Sequence, residues 1–399
     1  MAAVPDALLE LNVEKAGFYL RDDYYELLAW LRANAPVYRS ANGMWLVTGY
    51  EEIREISRQP ERFSSRYGAL VNDPLRVAEP NDEAGSLLHL DPPLHADYRK
   101  LLNREFTPRA VARMEEAVRR TVTDVFDALP AEEEIDFVER VALPIPVAAI
   151  ADLLGMRDHD MAEFRRWSDA TIEVTDNPTE EVLLAVTDFF VFLQGHVQAR
   201  FEAPGDDLLS ALATSQVGDK PLTPEQVQLF CMTLVVAGNE TTRSLLSGGA
   251  LALAEHPEQR AKLAAEPDFI PAAVEECVRW VTPIQAFCRT ATEDVEIGGA
   301  TVGKGDYVVL LYGSGNRDEV AFGPTADRFD VTRPPTPAHV AFGFGEHLCL
   351  GASLARLEAR VVFEELLRRH PNYEVTGPAT YVPSTLTRSI GALPVRLGS

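Results

Sequence analysis

Cys349 lies in the stretch Phe342-Gly343-Phe344-Gly345-Glu346-His347-Leu348-Cys349-Leu350-Gly351. Directly after it, "LGASLARLEARVVFEELLRRH" has the apolar spacing of an amphipathic helix. A thiol that ligates a metal or attacks a substrate needs a lowered pKa, and the free N–H groups of a helix N-terminus supply one route to it. Gly343, Gly345 and Gly351 remove side chains where a backbone must bend or a flat ligand must lie against it. His347 is too near in sequence to share one ion with Cys349 and is better placed to hydrogen-bond an anion at the ligand's edge.

Two further clusters carry chemistry. Ala237-Gly238-Asn239-Glu240-Thr241-Thr242 interrupts an otherwise apolar helical run. One reading is a set of buried polar groups satisfied locally, with threonines bonding back to the preceding turn. The other is a local widening that admits a flat, bulky group and sets a carboxylate beside a hydroxyl as a proton relay. Glu276 and Arg279, three residues apart, share a helix face. Val278, Trp280 and Val281 make their surroundings apolar, so a buried structural pair is expected, with Arg328 or Arg333 as a second guanidinium.

The elements that must position these residues are mostly helical. "LTPEQVQLFCMTLVVAGNETTRSLLSGGALALAEHPEQ" predicts one long core helix: Thr223 caps it, Pro224 suits its first turn, Gln226 completes a capping box and Pro257 marks its end. At about 30 residues it would span roughly 45 Å. Helical patterns follow one another from Asp97 to Ala213, including "RAVARMEEAVRRTVTDVFDAL" and "EEVLLAVTDFFVFLQGHVQARF". Strand patterns sit near Trp45 and return after Thr290, where Gly298-Gly299 predicts a hairpin turn. The order predicts a mainly α, α+β fold in a single domain over 1–399. A net charge of −24 argues against nucleic acid or an anionic membrane as the main partner. The acidic N-terminal stretch has no targeting or anchor pattern, and no run reaches about 18 uncharged apolar residues. Four cysteines without a CxxC pair predict a reducing, cytoplasmic setting.

Together the motifs resemble those of the cytochrome P450 family. Phe342-x-x-Gly345-x-x-x-Cys349-x-Gly351 resembles its haem-binding loop, and Ala237 to Thr242 its oxygen-activating helix motif. Glu276-x-x-Arg279 resembles its structural pair. His95-x-x-x-Arg99 and Arg289 resemble residues that hold the haem propionates. The motifs occur in the family's order from about residue 89 to 356, in the style of bacterial members.

The resemblance implies a helical prism with a small β-rich lobe and haem b between the long helix and the cysteine-loop helix. Cys349 would be the axial ligand of the haem iron. Thr241 and Glu240 would deliver protons to the oxygen being activated. His95, Arg99, Arg289 and His347 would bind the propionates, and Phe342, Gly343, Gly351 and Ala237 would line the haem. It also implies a monomeric monooxygenase fed with O2 and with electrons from NAD(P)H through a reductase and a ferredoxin. Lys100, Arg104, Arg109 and Arg113 form a basic run that could receive that ferredoxin. The expected substrate walls are the loop from Tyr67 to Leu88, together with Val236, Asn239, Ile284, Gln285, Phe287, Thr385 and Leu386. This lining favours a terpenoid, steroid or fatty-acid-like molecule. Asn239 and Gln285 would either recognise one substrate oxygen or satisfy each other or the backbone. Rival readings are a peroxide-driven haem-thiolate enzyme and a haem sensor or carrier without turnover; the Glu240-Thr241 pair speaks against both.

Overall fold

The computed structural model describes residues 8, 11–77, 86–130, 134–156, 161–174 and 177–398. Eight helices position the site: Tyr24–Asn34 (α1), Leu94–Asn103 (α2), Pro144–Leu153 (α3), Met161–Glu173 (α4), Glu180–Glu202 (α5), Pro224–Glu255 (α6), Ile270–Val281 (α7) and Ala352–Arg369 (α8). The start of α6 follows from its capping box. Thr223 Oγ1 accepts from Gln226 N–H at 3.3 Å, and Gln226 Oε1 accepts from Thr223 N–H at 3.0 Å. The helix ends at Glu255, two residues before Pro257. It packs against α3, α4, α5, α7 and α8, so it is the axis of the helical layer.

One open alternative is decided here and one sequence expectation changes. The helix α6 runs unbroken through residues 237–242, so of the two readings of this stretch the local widening is absent from its secondary structure. Instead Thr241 Oγ1 donates back to the Ala237 carbonyl at 2.7 Å. The run 109–129 is two helices, Pro108–Ala112 and Glu115–Asp127. Three-residue bonds from Arg113 N–H to Ala110 and from Met114 N–H to Val111 tighten and close the first of them.

The sheet has the order β1-β2-β5-β4-β3, with β1 Val37–Arg39, β2 Trp45–Val47, β3 Phe63–Ser64, β4 Ala286–Ala291 and β5 Tyr307–Leu311. Every β5 side chain is buried because both faces are covered. Tyr307, Val309 and Leu311 pack towards α1, while Val308 and Leu310 pack with Ile53 and Ile56. The hairpin turn between Val295–Ile297 and Ala300–Val302 places Gly298 and Gly299 at φ +56° and +77°. A last strand, Ser389–Ala392 (β6), pairs with Thr380–Val382.

The helix α5 is apolar on both sides. Phe189, Leu193 and Val197 face the core, while Leu183, Leu184, Phe190 and Val191 are exposed. By length and composition it is apolar enough to cross a membrane, with Asp188 inside its apolar stretch.

Candidate active site

The loop before α8 is closed by its own backbone: Cys349 N–H donates to the Phe342 carbonyl at 2.8 Å, and Leu348 N–H to Gly345 at 3.1 Å. Gly343 and Gly345 hold φ +72° and +73°, where an L-residue is strained. A Cβ on Gly345 would also overlap the carbonyl oxygen of Ser57. Gly351 is different. Its φ is −82°, and a Cβ there would meet nothing within 4 Å. Phe342 is half-buried beneath the Arg356 guanidinium, which Glu275 holds at 2.5 and 2.8 Å.

Cys349 is accessible, whereas Cys231, Cys277 and Cys288 are buried. Surrounding protein nonetheless pushes the Cys349 thiol up in pKa, while the N–H groups of Gly351 and Ala352 and the charges of Arg99 and Arg356 pull it down. The sulfur is thus both crowded by protein and accessible. Ala237 has the same signature: it is exposed in mid-α6, flanked by buried Val235 and Asn239. Thr241, one turn on, is half-buried.

Beside the cysteine loop the basic groups crowd together. The His95 ring on α2 lies 4.3 Å from that of His347, and His347 Nε2 is 3.2 Å from Ser65 Oγ. Burial, then Arg99 and Arg289, lower His95 to about 4. Burial and the same arginines hold His347 well below the usual histidine range. Arg99 donates to the Leu348 carbonyl, and Arg289 on β4 donates to its neighbour Cys288 at 2.7 Å. Neither arginine makes an ion pair among the described residues. His95 Nε2 is buried with no hydrogen-bond partner. This set suits a dianion. Asp91 and Glu346 stand just beyond His347, and burial together with Asp91 raises Glu346 to about 7.

On α6, Glu240 is 5% exposed and pairs with Arg243, which also reaches Asp169 on α4 at 3.4 Å. Burial raises the Glu240 carboxyl, and Arg243 and the Ser389 hydroxyl oppose it. Arg243, three residues after Glu240, was readable from helical spacing; Ser389 had no sequence signal.

Two alternatives left open by the sequence are decided here. Glu276 and Arg279 pair through two 2.7 Å bonds, and the second guanidinium is that of Arg333, with Nε 3.1 Å from Glu276. The Arg328 side chain is exposed; only its carbonyl takes part, accepting from Arg279 and Arg333 at 2.9 Å. Asn239 and Gln285 do not satisfy each other: the Gln285 amide bonds protein at both ends, whereas Asn239 is paired only through Nδ2 and its buried Oδ1 has no hydrogen-bond partner. Asn239 Nδ2 donates to Ser168 Oγ at 2.6 Å, while Gln285 Oε1 accepts from Tyr24 Oη at 3.0 Å and its Nε2 donates to the Thr282 carbonyl at 2.6 Å. Val236, Ile284, Phe287 and Leu386 are half-buried, and Thr385 is buried. Of the loop from Tyr67 to Leu88, residues 78–85 lie outside the described residues.

Residues 202–393 match the family model for cytochrome P450. The chain is 34% identical to the steroid C26-monooxygenase of Mycobacterium tuberculosis, over 96% of this chain and 94% of that protein. This chain belongs to the cytochrome P450 family. It is also 33% identical to linalool 8-monooxygenase of Pseudomonas putida, over 97% and 98% of the two chains. A solved P450 from Chondromyces apiculatus superposes with a TM-score of 0.85 at 34% identity, covering 95% of this chain and 96% of that one. A Bacillus megaterium P450 in complex with testosterone gives 0.84 at 31% identity, covering 94% and 98%. As a P450, the protein is a haem-thiolate monooxygenase that works with O2 and an electron-transfer partner. The residues present fit haem b: an accessible thiol, an orphaned buried nitrogen among basic groups, and an open space at Gly351.

Proposed function

We propose that this P450 hydroxylates an apolar molecule of the steroid, terpenoid or fatty-acid-like class. The observation that carries this reading is the fate of Asn239 and Gln285. At 1% and 0% exposed, neither amide is presented to a ligand, and the named walls Val236, Ile284, Phe287 and Leu386 are all apolar side chains. The relatives named for a steroid and for linalool point the same way.

Haem, when bound, supplies the oxidative chemistry. Cys349 would hold its iron through a thiolate favoured by the Gly351 and Ala352 N–H groups. His95, His347, Arg99 and Arg289 would hold the propionates. Phe342, Gly343, Gly351 and Ala237 would leave room for the ring. Burial raises the Glu240 carboxyl against the opposing pull of Arg243, which eases proton uptake there. Arg243 and Asp169, with side chains 14% and 37% exposed, connect that carboxyl to solvent. Thr241 Oγ1 stays oriented by the Ala237 carbonyl and keeps its lone pairs free for a hydrogen bond from the cleft.

Electrons would come from a ferredoxin. Lys100, Arg104, Arg109 and Arg113 are all exposed, and Leu348 beside the ligand is 46% exposed. An acidic ferredoxin seated there would be steered by that basic run. We place the protein, read as one domain and a monomer, in the cytoplasm. A screen of steroids, terpenoids and fatty acids against sugars and nucleosides, read as the low- to high-spin shift of the ferric haem, tests the substrate class. Apolar hits are expected, and shifts confined to the polar compounds would refute it.

A further inference from the structure

Two segments expected to wall the substrate are joined by their backbones. Gln285 N–H donates to the Leu386 carbonyl at 2.9 Å, Arg388 N–H donates to Pro283 at 3.3 Å, and Ile284 bridges Thr387. The strand β6 begins two residues on, at Ser389. Its Oγ lies 2.5 Å from Ser244 Oγ on α6, and its hydroxyl bonds the Glu240 carboxyl. Ile284 and Leu386 are therefore anchored beside the relay acid, and a shift of this seam moves both.

What fixes the seam comes from the other end of the chain. Tyr24 Oη donates to Gln285 Oε1 at 3.0 Å, and Tyr19 Oη donates to the Thr385 carbonyl at 3.1 Å. Tyr19, Tyr24 and Gln285 are 1%, 2% and 0% exposed, and the two rings pack edge-on against each other and against Phe18. Gln285 Nε2 holds the carbonyl of Thr282, the one non-glycine residue at positive φ among the described residues, at +44°. A β-branched residue is strained there and stays only where its neighbours over-determine it. Thr282 Oγ1 donates to Arg279 at 2.7 Å and accepts from Asn316 Nδ2 at 2.8 Å. Such bracing exceeds what a solvent-facing loop needs. It joins the Glu276–Arg279 pair to the segment that carries Ile284, Phe287 and Arg289.

We propose that Tyr19 and Tyr24 are positioning residues for the substrate side of the cleft. Through Thr385 and Gln285 they set where Ile284 and Leu386 stand beside the Glu240-Thr241 turn, and so which part of a bound molecule faces the oxygen site. The proposal rests on the reading that these two apolar side chains face the haem cleft. Neither tyrosine touches substrate. Removing the Tyr24 hydroxyl leaves Gln285 Oε1 buried without its donor, and the amide and its backbone must readjust.

The test titrates haem-loaded wild type, Tyr24→Phe and Tyr19→Phe with imidazole and with 4-phenylimidazole, followed by the haem absorption band. Imidazole reaches the iron without reaching the wall, whereas the phenyl ring must fit against it. Imidazole affinity should stay within about twofold, while 4-phenylimidazole affinity should change by about 3- to 10-fold, the value of one buried hydrogen bond. An unchanged ratio of the two affinities in both variants overturns the proposal. An equal loss of both ligands, or loss of haem from both variants, assigns the tyrosines to folding alone and overturns it too. If only Tyr24→Phe loses haem, Tyr19→Phe decides. Failure of imidazole to bind the wild type would refute the haem-cleft reading instead.

Discussion

Gly345 and Gly351 flank the same cysteine, yet alanine should harm them in different ways. At Gly345 the backbone holds φ +73°, and a Cβ would overlap the Ser57 carbonyl oxygen, with the carbonyl carbon at 3.0 Å and Arg58 N at 3.7 Å. Those are main-chain atoms, so no rotamer change relieves the contact. Left-handed strain costs about 1–2 kcal/mol, and displacing a packed backbone adds about 1–3 kcal/mol. The sum, about 3 kcal/mol, lowers the unfolding midpoint by roughly 4 °C, given about 2.1 cal/mol/K of unfolding entropy per residue over this length. At Gly351 the φ of −82° suits any residue and the Cβ meets nothing. The haem-free Gly351→Ala protein should therefore unfold within about 1 °C of wild type. Its haem affinity should fall, because the methyl occupies the space left for the ring. Thermal unfolding of the haem-free proteins by circular dichroism, followed by haem titration on the Soret band, separates the two. Equal midpoints for Gly345→Ala and wild type, or undiminished haem affinity in Gly351→Ala, would refute this division of labour.

Arg333→Ala should cost about 1–3 kcal/mol in urea unfolding because Glu276 loses one of its two guanidinium partners. Arg328→Ala should stay within about 0.5 kcal/mol; the reverse order would restore Arg328 as the partner. Glu358 is 2% exposed, its Oε2 has no hydrogen-bond partner, and burial raises it from 4.5 to about 8. The folded protein keeps this proton after the unfolded chain has released it, so stability is full below pH 4.5 and falls as pH rises towards 8. Glu358→Gln should remove that slope and stabilise the protein by roughly 3 kcal/mol at pH 7; parallel pH curves for the two proteins would contradict it. Thr241→Ala should lower product formed per NADH by about tenfold, with the difference released as hydrogen peroxide. Unchanged coupling would remove Thr241 from the relay.

The candidate groups were legible because they are close in sequence. Helical spacing joins Glu276 to Arg279, neighbouring positions join Glu240 to Thr241, and a ten-residue loop holds Phe342 through Gly351. Their distant partners were not legible. Spacing rules cannot choose between Arg328 and Arg333, which lie in one segment and differ only in which side chain turns inward. Nor can they show that Tyr24 meets Gln285 across 261 residues, or that Ser168 takes the Asn239 amide. Those contacts are set by how helices and strands pack. The loop glycines show the same limit: flexibility explains Gly343, but the Ser57 carbonyl behind Gly345 belongs to another element.

The central claim is that Cys349 holds a haem iron as a thiolate. The ferrous–CO difference spectrum of wild type and Cys349→Ser tests it most directly. Wild type should give the red-shifted Soret band of a thiolate-ligated haem, and the variant should lose that band. A thiolate-type spectrum persisting in Cys349→Ser, or its absence from haem-loaded wild type, would contradict the account.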